Sequence, residues 1–176
     1  LDRVSTYTKI IATELAKSLP QLGLTLSRAQ DIVQVSPLHD IGKVAIPDSI
    51  LNKPGKLTVE EFDTMKTHAS AGGSILKDIF ENTRSPFLFL GYEVANFHHE
   101  KWNGRGYPKG LVGTEIPLSA RIVALADVFD ALTAERCYKD AFSYQKAKSI
   151  VIEESGNHFD PMVVDAYLKN EDEWLD

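Results

Sequence analysis

The chain has 176 residues, 43% of them hydrophobic and 25% charged, which fits one globular domain with its own core and is short for two. Its net charge of −6 disfavours binding to DNA or RNA, which takes a basic face, and no stretch reaches the roughly 20 apolar residues of a transmembrane helix. Cys137 is the single cysteine, so an intrachain disulfide is excluded and a cytoplasmic location is predicted. Because the sequence opens at Leu1 rather than at methionine, we expect a longer parent protein.

The first third of the chain predicts two helices followed by a loop. Residues 3–19 carry apolar side chains at helical spacing. A capping-box pattern at 27–30 predicts the start of a second helix, which Pro37 is expected to kink or end just before His39 and Asp40. Residues 44–57, rich in proline and glycine, are predicted to form an ordered loop.

The remaining two thirds predict five more helices and no strand. A second capping box at Thr58 opens a helix through about Phe80. Its predicted inner face consists of Phe62, Met65, Ala69, Gly72, Leu76 and Ile79. The other predicted helices are 86–98, 118–134, 143–155 and 161–169, the last capped by Asp160, and a loop spans 101–117. The pattern therefore predicts a single all-α helical bundle.

Six side chains of metal-binding type recur at gaps of about 30 residues, which is roughly one helix and one loop each time. Each helix of a bundle could therefore place a ligand at one central site. The six residues are His39, Asp40, His68, His98, His99 and Asp127. Each alone has a structural interpretation: a mid-helix histidine can be packed, a histidine pair can favour a helix C-terminus, and an acid can form a salt bridge.

Imidazole and carboxylate ligands together favour iron, manganese, zinc or nickel over magnesium or calcium. Neighbours on a helix point about 100° apart, so adjacent ligands would serve two adjacent ions, with Asp40 bridging them. Two metals about 3.5–4 Å apart form a site suited to phosphodiester hydrolysis. Of the nearby residues, Glu100 favours a surface or salt-bridge interpretation, and Trp102 and His158 favour structural ones.

The motifs "SPLHDIGK" at 36–43, "HHEKWNGRGYP" at 98–108, "AERCYKDA" at 134–141 and "NHFDP" at 157–161 resemble the HD-GYP family of the HD phosphohydrolase superfamily. The resemblance covers nearly all of 1–176 and implies one HD-type helical bundle with a metal centre in its core. It implies hydrolysis of the bacterial second messenger cyclic di-GMP to linear pGpG, and in many members to GMP. It also implies two or three divalent metals, iron or manganese foremost, with zinc and nickel as alternatives.

Carried over residue by residue, the resemblance makes the six residues named above metal ligands. It places Asp40 and Lys43 in catalysis, with Lys43 beside the scissile phosphate. Tyr107 of the Gly-Tyr-Pro element is a candidate for binding substrate, and Arg136 and Lys139 match residues that contact its phosphates and guanine. Asp130, one helical turn after Asp127, is expected to orient Lys43 or a nearby group.

Family members with three metals carry a glutamate and a histidine just before a segment that matches Arg3-Val4-Ser5, so both would precede Leu1. This leaves a weakly active or inactive module that binds cyclic dinucleotide or protein as an alternative hypothesis. A phosphodiesterase for cyclic GMP-AMP is a further alternative, because nothing in the motifs selects guanine twice. Expected partners are cyclic di-GMP and a diguanylate cyclase domain at the Gly-Tyr-Pro surface, and an upstream sensory or receiver domain is expected.

Overall fold

The structure, a computed structural model, describes residues 2–136 and 139–174, and these contain helices, turns and isolated bridges but no strand. The predicted all-α class is confirmed. Leu1 and Cys137, on which the expectations about the chain start and the redox environment depend, lie outside the described residues. Among the helices described, none is both long and apolar enough to cross a membrane.

Nine α-helices follow one another along the described part of the chain. They are α1 (Arg3–Ser18), α2 (Leu26–Val35), α3 (Asp48–Leu51), α4 (Val59–Thr83), α5 (Pro86–Phe97), α6 (Leu118–Thr133), α7 (Tyr144–Glu153), α8 (Pro161–Lys169) and α9 (Glu171–Trp174). Three 3₁₀ helices occupy Pro20–Leu22, Ser36–Ala45 and Gly113–Glu115. The predicted loop at 44–57 is wrong in part, because α3 forms within it.

Side-chain caps set several helix starts. The Thr58 side chain accepts from the Glu61 N–H while Glu61 accepts from the Thr58 N–H, which confirms the predicted capping box. Asp160 caps α8 as predicted, by accepting from the Met162 N–H. The predicted start of α2 at Ser27 is wrong: Thr25 has the extended backbone of a cap and accepts from Arg28, so the helix begins earlier.

The core gathers around α6, whose Ile122, Leu125 and Phe129 are almost completely buried. Helix α1 packs on it with Ile11 and Leu15, both also buried. Burial of such side chains provides the main favourable free energy of folding. This packing holds the helices that carry the site in one fixed arrangement.

A glycine contact brings the 3₁₀ helix Ser36–Ala45 onto the backbone of α4. A Cβ atom on Gly42 would lie 1.9 Å from the carbonyl oxygen of His68 and 2.5 Å from the backbone nitrogen of Gly72. No larger residue fits at this distance, so Gly42 allows the two segments to touch. The contact sets His39 and Asp40, three and two residues before Gly42, beside the turn of α4 that carries His68.

The predicted inner face of α4 holds only in its middle. Ala69, Gly72 and Leu76 are buried as expected, but Phe62 is 49% exposed and Ile79 is 42% exposed. The helix is 25 residues long, whereas its partner α5 has 12, so the ends of α4 extend past the surface that covers its middle. Phe62 instead lines the cleft described below.

Candidate metal centre

Four segments of the bundle bring the six predicted ligands together. The 3₁₀ helix Ser36–Ala45 carries His39 and Asp40, α4 carries His68, and α6 carries Asp127. His98 and His99 follow directly after the last residue of α5. Residues up to 88 positions apart in sequence therefore face one centre, as the sequence spacing predicts.

Three of the four histidines in the centre are oriented by hydrogen bonds from their Nδ1 atoms to backbone carbonyl oxygens. A carbonyl only accepts, so each of these Nδ1 atoms carries a proton, and in the neutral ring Nε2 carries the lone pair. The bonds are His39 to Ser36 at 2.7 Å, His68 to Met65 at 2.7 Å, and His98 to Val94 at 2.9 Å. This is the arrangement in which proteins present imidazole ligands to metals.

The Nε2 atoms of these histidines all point at the Asp40 carboxylate. His39 Nε2 lies 3.2 Å from Asp40 Oδ2, and the Nε2 atoms of His68 and His98 lie 3.4 and 3.7 Å from Asp40 Oδ1. His39 Nε2 is also 3.4 Å from Asp127 Oδ1. Asp40 thus occupies the centre and Asp127 joins the cluster through His39.

The cluster fits a divalent metal ion. The Nε2 atoms of His68 and His98 are buried and have no hydrogen-bond partner. With Nδ1 protonated, each turns a lone pair towards carboxylate oxygens, and a cation between them relieves the repulsion. One donor atom each from Asp40, His68, His98 and His99 lies within 4.8 Å of the others, so these four can ligate a common ion.

The electrostatics separate His39 from the pair His98 and His99. Burial opposes a charge on His39, but its contacts with Asp127 and Asp40 outweigh this and raise its pKa to about 10. Burial, reinforced by the charge of His39, lowers the pKa of His98 to about 4. Burial and His98 lower the pKa of His99 to about 3. His98 and His99 are therefore neutral at pH 7, with a ring nitrogen free to bind a metal.

The two carboxylates remain ionised despite their burial. Burial alone would raise the pKa of Asp40, but its contacts with His39, His68 and Lys43 hold it well below the usual range. The pKa of Asp127 is lowered in the same way, with its contact to His39 outweighing its burial. Both carboxylates are therefore available as anionic metal ligands.

A cleft of about 390 Å³ opens onto the centre. It exposes Asp40, His68, His99 and Asp127 on its floor and is a suitable size for a nucleotide-like ligand. Its walls combine cationic side chains with apolar and aromatic ones: Lys43, Phe62, Met65, Tyr107, Val128, Ala131, Leu132, Arg136 and Lys139. The predicted substrate-binding residues Tyr107, Arg136 and Lys139 are therefore brought to this cleft with Lys43.

The structure adds detail on three of the predicted residues. Helix α6 ends at Thr133, so Arg136 and Lys139 lie beyond it. The two residues instead form an isolated bridge, with backbone bonds of 3.0 and 3.1 Å between them. Asp130 pairs with Arg3 at 2.7 Å, whereas Lys43 pairs with Asp40 at 3.0 Å.

Comparison with known proteins assigns the family. The family described as "HD domain" matches residues 2–163. The chain belongs to the HD-domain family. The HD-GYP assignment made from the motifs is confirmed, since the family match agrees with relatives named as cyclic di-GMP phosphodiesterases.

Several curated proteins are similar to this HD-GYP domain over most of its length. A cyclic di-GMP phosphodiesterase of Vibrio cholerae is 49% identical over 98% of this chain and 36% of its own length. The cyclic di-GMP phosphodiesterase response regulator RpfG of Xanthomonas campestris is 44% identical over 96% of this chain and 42% of its own. A 3'3'-cGAMP-specific phosphodiesterase 2 of Vibrio cholerae is 46% identical over 87% of this chain and 28% of its own length. The chain thus spans well under half of each of these relatives.

Solved structures share the fold. A cyclic GMP-AMP-specific phosphodiesterase of Vibrio cholerae matches with a TM-score of 0.63 and 22% identity, covering 97% of this chain and 44% of that one. An HDG"Y"P protein from Bdellovibrio bacteriovorus matches with a TM-score of 0.64 and 21% identity, covering 95% and 52%. The predicted HD-type helical bundle is confirmed.

The surface interpretation of Glu100 is wrong. Its side chain is almost completely buried, and its two carboxylate oxygens accept from the backbone N–H groups of Lys109 and Leu111 at 2.7 and 3.0 Å. Its position directly after two metal-type histidines was the only available signal, because the long-range backbone contacts of a loop leave no periodic pattern.

The structural interpretations of Trp102 and His158 are in line with the contacts they make. The backbone N–H of Trp102 donates to the carbonyl oxygen of His158 at 3.0 Å, which ties the loop to the turn before α8. The His158 ring stacks on Phe159, with 4.3 Å between the ring centroids. Burial lowers the pKa of His158 to about 4, so this histidine is neutral in its packed position.

Proposed function

We propose that this domain is a metal-dependent phosphodiesterase that hydrolyses cyclic di-GMP to pGpG, and onward to GMP. The observation that carries the proposal is the Asp40 carboxylate, surrounded by the Nε2 atoms of three histidines and open to a cleft with cationic walls. The names of several relatives at 44–49% identity support the choice of substrate.

The proposed ligands are His39, Asp40, His68, His98, His99 and Asp127. Their mixture of imidazole and carboxylate suits iron, manganese, zinc or nickel. The resemblance to the HD-GYP family favours iron or manganese among these, in a centre of two or three ions. When bound, such ions supply Lewis acidity at the phosphate and lower the pKa of a water molecule so that it can attack phosphorus.

The proposed roles of the other residues follow from their charge and position. The Lys43 ammonium lies 3.0 Å from the Asp40 carboxylate and faces the cleft, where it can stabilise negative charge that develops on the phosphate. Arg136 and Lys139 are exposed cations on the wall, suited to holding the ligand's phosphate and guanine groups. Phe62, half exposed in the same cleft, offers an apolar face for a flat base.

The test is hydrolysis by purified protein loaded with iron or manganese under anaerobic conditions, followed by separation of pGpG and GMP. We expect turnover by the wild type and none by His39→Ala or Asp40→Ala. Asp78→Asn is the control, because Asp78 is an exposed acid on α4 outside the cluster. Metal-loaded wild type that releases neither product, or an active Asp40→Ala, would refute the proposal.

Cyclic GMP-AMP is the second candidate substrate. The 46% identity to a relative named as a 3'3'-cGAMP-specific phosphodiesterase supports it. Both dinucleotides supplied together at equal concentration would rank them by the ratio of their kcat/KM values. We expect cyclic di-GMP to be consumed first, and preferential loss of cyclic GMP-AMP would reverse the assignment.

We also propose a longer, cytoplasmic parent protein in which residues 1–176 form one HD-GYP domain behind a sensory or receiver domain. The small share of each relative that the chain spans, and the name response regulator of one of them, support this. The exposed side of the Gly-Tyr-Pro loop, with Arg105, Pro108 and Val112, is the proposed contact for a diguanylate cyclase domain. If Arg105→Glu no longer co-purifies with a diguanylate cyclase domain that the wild type retains, the contact is supported. Undiminished binding of that domain by the variant would oppose it.

A further inference from the structure

The loop 101–111 folds back on the histidine pair that precedes it. The Tyr107 N–H donates to the carbonyl oxygen of His99 at 3.2 Å, and the Tyr107 ring stacks on the His99 ring with 4.9 Å between centroids and 18° between planes. Tyr107 thereby covers one face of an imidazole in the metal cluster and forms a wall of the cleft at the same time.

Gly106 permits this return. A Cβ atom there would lie 2.3 Å from the backbone nitrogen of Lys101 and 2.5 Å from the carbonyl oxygen of His99. Both are backbone atoms, so they cannot move aside as the end of a side chain would. The loop therefore passes against the segment 99–101 at a distance that excludes a Cβ atom at position 106.

The buried side chain of Glu100 ties this return from inside. Its Oε1 accepts from the Lys109 N–H at 2.7 Å and its Oε2 accepts from the Leu111 N–H at 3.0 Å. The side chain is almost fully buried, so water cannot replace it for these two amides. Because the bonds fall two and four residues after Tyr107, they determine where Tyr107 sits against His99.

We propose that Glu100 is a positioning residue that acts through Tyr107. Its buried carboxylate holds residues 106–111 closed, so that Tyr107 remains stacked on His99 as a wall of the substrate cleft. The consequence for substrate rests on the proposed function, whereas the consequence for the loop does not. Removing the carboxylate takes away the acceptor of the Lys109 and Leu111 N–H groups. Loss of such a bond to a charged group raises the open fraction of the loop about ten- to a hundredfold.

The variants Glu100→Gln and Glu100→Ala test this in the complete domain. Glutamine keeps the shape but offers one acceptor oxygen instead of two, so one amide loses its partner. Glu115→Gln is the matched control: Glu115 ends the 3₁₀ helix Gly113–Glu115 just after the loop, is exposed, and accepts a single backbone N–H from Val112. Solvent replaces that acceptor, so we expect wild-type behaviour from the control.

Amide hydrogen exchange tests the loop without substrate or metal. We expect exchange at Lys109, Leu111 and Tyr107 to accelerate at least about tenfold in Glu100→Ala, with one of the first two affected in Glu100→Gln. Exchange in the core helix α6 should stay as in the wild type. Unchanged exchange at Tyr107, or a uniform acceleration over the domain, would overturn the positioning role. If Glu100→Ala fails to fold, the same outcomes in Glu100→Gln decide.

Kinetics on cyclic di-GMP then test the action through Tyr107. We expect Glu100→Gln to raise KM about tenfold and to leave kcat within about threefold of the wild type, because a displaced Tyr107 wall weakens substrate binding. Loss of folded protein would instead lower the apparent kcat and leave KM unchanged. In a Tyr107→Ala background the same substitution should add little. Independent, multiplying effects would overturn the proposal. A wild type without turnover would defeat the proposed function, and the exchange result would still decide whether Glu100 holds the loop.

Discussion

Replacing Gly42 with alanine should damage the metal centre through the backbone, without changing any ligand side chain. The new Cβ would lie 1.9 Å from the carbonyl oxygen of His68, where ordinary contact begins at 3.4 Å. The atoms it meets belong to the backbone of α4, so the 3₁₀ helix Ser36–Ala45 must move by about 1.5 Å. That movement carries His39 and Asp40 away from His68.

Two consequences of this shift can be measured separately. Overpacking of this kind costs about 1–3 kcal/mol in the free energy of unfolding, which urea denaturation of the metal-free protein measures. Misplacement by about 1 Å at a reacting centre costs about a hundredfold in rate, so hydrolysis and metal affinity should both fall. A chelator competition titration with manganese measures the affinity.

Other glycines provide the matched controls. Gly23 has a φ of 70° and no heavy atom within 4 Å of an added Cβ, so Gly23→Ala should cost about 1 kcal/mol of strain and leave metal affinity unchanged. Gly72→Ala should be intermediate, since its Cβ would lie 3.0 Å from the Gly42 nitrogen. Wild-type metal affinity in a folded Gly42→Ala protein would refute the argument that this contact sets the centre.

Three further substitutions probe separate parts of the domain. Lys43→Met should lower kcat about a hundredfold, measured by steady-state kinetics, with the metal content unchanged by elemental analysis. An unchanged kcat would show that Lys43 has no part in catalysis. Arg121→Met should lower the free energy of unfolding in urea by about 3–5 kcal/mol, because the buried carboxylate of Asp160, which Arg121 contacts at 2.7 Å, loses its cationic partner. A loss below about 1 kcal/mol would contradict this. Thr58→Ala should cost about 1 kcal/mol by the same assay through loss of the α4 cap, and no loss would show that the cap is redundant.

Local patterns predict most of the helices because their signals lie within a few residues. Three boundary signals act as expected: Pro37, the capping box at Thr58, and the Asp160-Pro161 start. Each acts within a single turn, because a cap accepts from a free backbone N–H group and a proline has no N–H group to donate. The start of α2 is missed because two hydroxyl residues compete as caps and only the backbone angles of Thr25 decide between them.

The metal cluster is predictable and the loop beside it is not. Four of the five histidines, together with Asp40 and Asp127, recur at gaps of about one helix and one loop, so their convergence can be inferred. Glu100 and Phe62 were misjudged because their surroundings depend on contacts with distant segments: amides nine and eleven residues away for Glu100, and the overhang of α4 for Phe62. Such contacts arise from tertiary packing and leave no periodic trace in the sequence.

The most direct test of the metal centre is an anomalous difference map from crystals of the manganese-loaded domain. The account predicts a peak among Asp40 Oδ and the ring nitrogens of His68, His98 and His99, with a further ion towards His39 and Asp127. Manganese bound elsewhere on the molecule, with the cluster side chains unchanged and free of metal, would contradict it.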